Sequence, residues 1–153
     1  MLNTVFVIVI LLLGLVSLPW FKSALPLPEM KAGLISAETP LEATQVLLDE
    51  RPPGQLFHAM SFGSYLIWAA QPDYPVFVDS RIELFSTEVW LDYLAISNAQ
   101  GDWEQKLIDY GVNSLMLSPT EQQGLVLAAR ESNQWRVIYQ DATAVIFTRS
   151  EMP

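Results

Sequence analysis

Residues Val112–Arg149 read VNSLMLSPTEQQGLVLAARESNQWRVIYQDATAVIFTR, and their order of patterns decides the fold class. Val112–Ser118 is short, apolar and β-forming, Thr120–Glu131 is long enough for a helix, and Trp135–Gln140 and Ala144–Arg149 are again β-forming. A helix between two strands implies a right-handed crossover and a parallel sheet. The last two runs are separated only by Asp141-Ala142-Thr143, too short for a crossover, so they form an antiparallel hairpin.

The same alternation extends towards the N-terminus. Thr39-Pro40-Leu41-Glu42 has a capping Thr, Pro at the first helical position and Glu three residues after the cap. Arg51-Pro52-Pro53-Gly54 stops that helix. Gln55–His58 is a strand candidate, Phe62–Ala70 a buried helix, and Pro75–Asp79 (PVFVD) another strand ending in an acid. Glu88–Ser97 and Asp102–Tyr110 read as helices, the second capped by Asp102 and ended by Gly111. The expectation is a three-layer α/β domain over 39–153, with about five strands, mainly parallel, ending in the hairpin. There is no internal repeat and no low-complexity tract.

The 153 residues are 51% hydrophobic and 16% charged, against about 25% charged in ordinary soluble domains. Mean hydropathy is +0.26. The apolarity is concentrated at Thr4–Phe21 (TVFVIVILLLGLVSLPWF), which precedes the first charged residue, Lys22. Eighteen helical residues span roughly 27 Å, close to the hydrocarbon thickness of a bilayer. The segment is therefore expected to be a single transmembrane anchor over 1–21. Val5, Phe6, Ile8, Leu11 and Leu15 would face lipid, and Trp20 would sit at the interface beside the helix-ending Pro19. A cleaved signal peptide fits less well, since Met1–Thr4 carries no Lys or Arg and LVSLPW offers no small-x-small site. Residues 22–38, with Pro26, Pro28 and Gly33, read as a juxtamembrane linker.

Net charge is −9, from 8 basic and 17 acidic residues. A nucleic-acid partner needs a basic footprint, and the balance excludes it. With no cysteine, disulfides, thiolate metal sites and cysteine nucleophiles are excluded. Dinucleotide-binding glycines, a phosphate-binding loop, a zinc-protease motif and a nucleophile elbow are all missing, and the lone His58 cannot form a His-rich metal site. No metal, cofactor or catalytic set is expected.

The best polar candidate is Asp79-Ser80-Arg81-Ile82-Glu83. Ligands of open α/β sheets collect at the carboxyl ends of parallel strands, where Asp79 would lie. Arg81 would grip a carboxylate, phosphate or sugar, Asp79 would orient it, and Glu83 follows. Alternatively, Asp79 caps its own turn and pairs with Arg81. Most of Asp92, Asp102, Glu104 and Asp109 are expected on a solvated helix face at their helical spacings, with nothing to pair them across a cleft. Tyr65, Trp68, Trp90, Tyr93, Trp103 and Tyr110 suit either core packing or a carbohydrate platform, with core packing the default.

GSYLIW at 63–68, PVFVDSR at 75–81, YGV at 110–112, Trp135, Val137, Tyr139, Asp141 and the closing Ala144–Arg149 occur in an order that resembles one family. It is the C-terminal extracytoplasmic region, with the last membrane helix, of bacterial glycosyltransferases of family 39, the dolichyl-phosphate-mannose protein mannosyltransferase-like group. Ser64 and Ser80 stand where the family pattern has glycine. The resemblance covers nearly all of residues 1–149 and implies an extracytoplasmic soluble domain, whereas Lys22 and Lys31 after the helix favour the opposite orientation. In that family the chemistry belongs to acidic loops of a many-helix domain that this chain lacks, so the resemblance carries over no catalytic residue. The expected function is a non-catalytic, single-pass accessory or structural subunit of a larger membrane complex. Its partners would be membrane lipids and other membrane proteins, met through the N-terminal helix. The alternative is the carbohydrate- or lipid-carrier-recognising part of a split membrane glycosyltransferase.

Overall fold

The computed structural model describes residues 2–22, 24 and 35–150. Lys31, Glu29 and most of the expected 22–38 linker lie outside the described residues. The chain divides into two units, Met1–Thr39 and Pro40–Pro153.

In the first unit, α1 spans Leu2–Val16 and α2 spans Pro19–Lys22. The apolar segment Thr4–Phe21, expected to be helical as far as the helix-ending Pro19, is interrupted at Ser17–Leu18 and turns helical again from Pro19. Pro19 has no N–H for a helical bond and disfavours helical backbone at the residue before it. The Ser17 hydroxyl turns back to donate to the Leu13 carbonyl at 2.7 Å. The 15 residues of α1 reach about 22 Å at about 1.5 Å each, and no helix among the described residues is long and apolar enough to cross a membrane.

The second unit begins with α3 (Leu41–Glu50). Its N-cap is Pro40, without a side-chain cap bond, so Thr39 does not cap it as expected. The Arg51 N–H closes the helix on the Leu47 carbonyl. β1 (Gln55–His58) follows, then a 3₁₀ turn (Met60–Phe62) continuing into α4 (Gly63–Ala69). A 3₁₀ turn at Ile82–Leu84 leads to α5 (Thr87–Ser97), whose cap is Ser86, accepting from the Val89 N–H. Then come α6 (Trp103–Asp109), β2 (Val112–Leu117), α7 (Gln123–Glu131), β3 (Trp135–Gln140) and β4 (Val145–Arg149). Asp102 stands at the α6 N-cap, but its side chain makes no cap bond.

The sheet has four strands in the order β1-β2-β4-β3. Only β1 and β2 pair in parallel; β4 is antiparallel to both β2 and β3. This corrects the expected five-stranded, mainly parallel sheet in two ways. The closing hairpin folds its second strand inward, between β2 and β3. The crossover through α7 thus brings β3 back parallel to β2, but β4 occupies the place beside it. In addition, Pro75–Asp79 forms no strand. Pro75 has no N–H to donate to a ladder, and the Phe77 N–H is taken by the His58 ring.

Alternation along β2 and β4 separates two cores. Leu115, Leu117, Val145 and Phe147 face α5, α6 and α7 through Ile96, Leu107 and Leu125. Met116 and Ile146 face α3 and α4 through Ala43, Leu47 and Leu66. Helices cover both faces, so the unit is a three-layer mixed α/β domain.

Candidate functional site

The Asp79 loop lies beyond the carboxyl end of β1. His58, the last residue of that strand, is fully buried. Its Nδ1 lies 2.8 Å from the Ala59 carbonyl, and its Nε2 accepts the Phe77 N–H at 3.0 Å. A carbonyl on one nitrogen and an N–H on the other assign the neutral tautomer with the proton on Nδ1. Burial pushes its pKa down to about 4, although the Ala59 carbonyl and nearby Asp79 act in the opposite direction. The ring thus replaces a ladder bond in tying Pro75–Asp79 to the sheet. Phe77 continues this attachment, its ring 5.0 Å from that of Phe57 and 4.9 Å from that of Tyr110.

Asp79 is only 1% exposed. Its Oδ1 accepts the Arg81 N–H at 2.8 Å and Nε at 3.0 Å, while its Oδ2 accepts Arg81 Nη2 at 2.6 Å. The Arg81 guanidinium holds the Asp79 carboxyl below the usual carboxylate range, with burial opposing it. The structure brings these two residues together as a fork-shaped ion pair, with the arginine half-exposed. Glu83 is exposed in the following 3₁₀ turn and reaches Arg81 only through its electrostatic field. None of these three residues lines the two clefts described next.

Gly63, at the start of α4, faces this loop. A Cβ there would come within 2.8 Å of the Val78 carbonyl and of Asp79 Cβ. The glycine of GSYLIW and the aspartate of PVFVDSR therefore meet because the backbones approach too closely for any side chain.

The smaller cleft is lined by Glu88, Asp92, Lys106, Asp109 and Tyr110. Asp92 is not a solvated helix-face carboxylate as expected: it bonds Lys106 Nζ at 2.6 Å and the Tyr110 hydroxyl at 2.8 Å, joining α5 to α6. Burial, then the Asp92 bond, push the Tyr110 hydroxyl up to about 12. The larger cleft, of about 850 Å³, is at the opposite end of the sheet from Asp79. It lies where β2 and β3 begin and β4 ends, and Arg51, Arg136 and Arg149 line it. No sequence signal singled it out, because its arginines belong to three separate segments and only the topology assembles them.

The aromatics divide. Tyr93 is buried, and Trp90, Trp103 and Tyr110 pack partly buried against the core. Tyr65 and Trp68 depart from the core expectation: Trp68 is 79% exposed, its ring 5.7 Å from that of Tyr65. Among the described residues, no group of three or more His, Asp or Glu is arranged to hold a metal ion. No family model, curated protein or solved structure matches the chain at a significant level.

Proposed function

We propose that the chain is a non-catalytic accessory subunit of a membrane complex, held by its N-terminal apolar segment, with the α/β domain on the extracytoplasmic side. The observation that carries this reading is α1. It has no charged residue, and its side chains from Val5 to Leu13, with Leu15, are apolar and exposed around the helix, Ile10, Leu11 and Leu13 most of all. A helix apolar on all sides is stable in a bilayer or inside a larger protein assembly, not in water. About 22 Å is short of the roughly 30 Å hydrocarbon core, and a short apolar helix is accommodated by local thinning or by oligomerising with partner helices. That shortfall favours a subunit over a free-standing anchor. Trp20, beyond the break, suits the interface.

Mild-detergent purification of the tagged chain, with mass spectrometry of whatever stays bound, tests the proposal. Membrane proteins in fixed ratio are expected. Recovery of the chain alone overturns it. The second reading, part of a split membrane glycosyltransferase, draws on the exposed Trp68, with the half-buried Tyr65 beside it, an aromatic surface of the kind sugars stack on. A single polytopic transferase as the only companion would replace the first reading with this one.

A further inference from the structure

We infer that the 850 Å³ cleft at the amino ends of β2 and β3 binds an organic phosphate through Arg51, Arg136 and Arg149. The volume is in the range of sites for small organic ligands, which run from about 300 to 1,000 Å³. Charge is the first argument. In a chain of net charge −9 with 8 basic residues, three arginines line this cleft against one carboxylate, Glu50. The excess suits a compact dianion, whereas a nucleic acid needs a far wider basic surface.

The three arginines are available to differing degrees. Arg149 is fixed: its guanidinium lies 4.6 Å from the centre of the Trp135 ring and donates to Gln134 Oε1 at 2.6 Å. Arg51 caps α3 in left-handed backbone at φ 45° and uses Nε on the Leu48 carbonyl at 3.2 Å. The Arg136 side chain makes no hydrogen bond or ion pair among the described residues. A guanidinium carries several N–H donors in a planar fork suited to phosphate, and most of those on the three side chains are uncommitted.

The cleft floor is unlike a finished core. Thr148 lines it, is 7% exposed, and its Oγ1 has no hydrogen-bond partner. Ser114, its register neighbour on β2, does not line the cleft and is fully buried, with an equally partnerless Oγ. Buried polar atoms without partners are rare, and a bound polar group is one reason for them. Pro52, Pro53 and Ile138 add apolar wall, so the ligand carries an apolar portion beside its phosphate.

The cleft belongs wholly to the α/β domain, so its occupancy does not depend on whether α1 enters a membrane. The test is calorimetric titration of the full chain, in neutral maltoside detergent, with hexyl phosphate and with inorganic phosphate. Saturable binding of hexyl phosphate is expected, at least tenfold weaker in Arg136→Gln and in Arg51→Gln. Arg130→Gln, which removes an arginine bonded to Gln140 outside the cleft, should bind like the native chain. Because Arg136 supports no intramolecular bond, its variant should keep the native melting profile. Tighter hexyl phosphate is expected and would mark an apolar ester; inorganic phosphate binding as tightly would overturn the assignment of an organic ligand and leave only the arginine contacts. No saturable binding of either, or binding unchanged in both cleft variants, overturns it.

Discussion

A neutral imidazole closes the carboxyl end of β1, and its protonation would be costly. A proton on His58 Nε2 would face the Phe77 N–H, donor against donor, inside the core. With the folded pKa near 4 and an unfolded value of 6.5, the unfolded chain binds a proton in that window and the folded chain does not. Stability is therefore complete above pH 6.5, falls as pH drops through the window, and levels off near 4. At about 1.4 kcal/mol per pH unit the loss comes to about 3 kcal/mol. The Asp79 carboxylate, held low by Arg81, adds a further loss at more acidic pH. Urea unfolding at about pH 7, 5.5 and 4.5 should show this fall in the native chain and a flatter profile in His58→Gln, whose side chain does not titrate. An equally steep fall in the variant would refute the assignment. The sequence places His58 at a strand end, but its partner Phe77 is 19 residues away, a pairing with no local signature.

At the scale of elements, the sequence is most readable where pattern and pairing coincide. β1, β2, β3, β4 and the helices between them lie close to their expected places because each strand is a short β-forming run between turn residues that packs against the two cores. Pro75–Asp79 shows where that reading stops. Its β-forming residues reflect burial: Val78 is fully buried and Phe77 packs on Phe57. Hydropathy reports burial, whereas strand pairing needs free backbone donors that Pro75 and Phe77 do not offer. Sheet order was likewise illegible, because which side of β3 the hairpin returns on depends on packing and not on loop length. The close approach of α4 to this segment gives a test. Gly63→Ala should destabilise by about 1–3 kcal/mol through overpacking, despite the roughly 1 kcal/mol of helix propensity that alanine gains over glycine. Ser64→Ala, exposed on the same turn, should stay within about 0.5 kcal/mol of the native chain. Thermal unfolding of both decides it: a Gly63→Ala melt matching that of Ser64→Ala would show that the loop yields to the added methyl.

At the scale of the whole molecule, charge and apolarity are segregated along the chain. No charged residue occurs before Lys22, and the net −9 belongs to the residues from there on. An acidic domain is not drawn to an anionic lipid surface, so membrane association would have to come from the apolar segment alone. It should then survive high salt, which removes proteins held by charge. Ile10→Lys places an ammonium near the middle of α1, where insertion scales assign about 2.5–3.5 kcal/mol, equivalent to roughly a hundredfold change in partition at about 1.4 kcal/mol per tenfold. Leu91→Lys makes the same change of charge on the exposed face of α5 and should leave partition unchanged. Quantifying each variant in membrane and soluble fractions after a salt wash separates the two. If Ile10→Lys stays with the membrane as the native chain does, the apolar surface of α1 is not what holds it there; if Leu91→Lys is released as well, α1 is not the sole attachment and the α/β domain takes part in it.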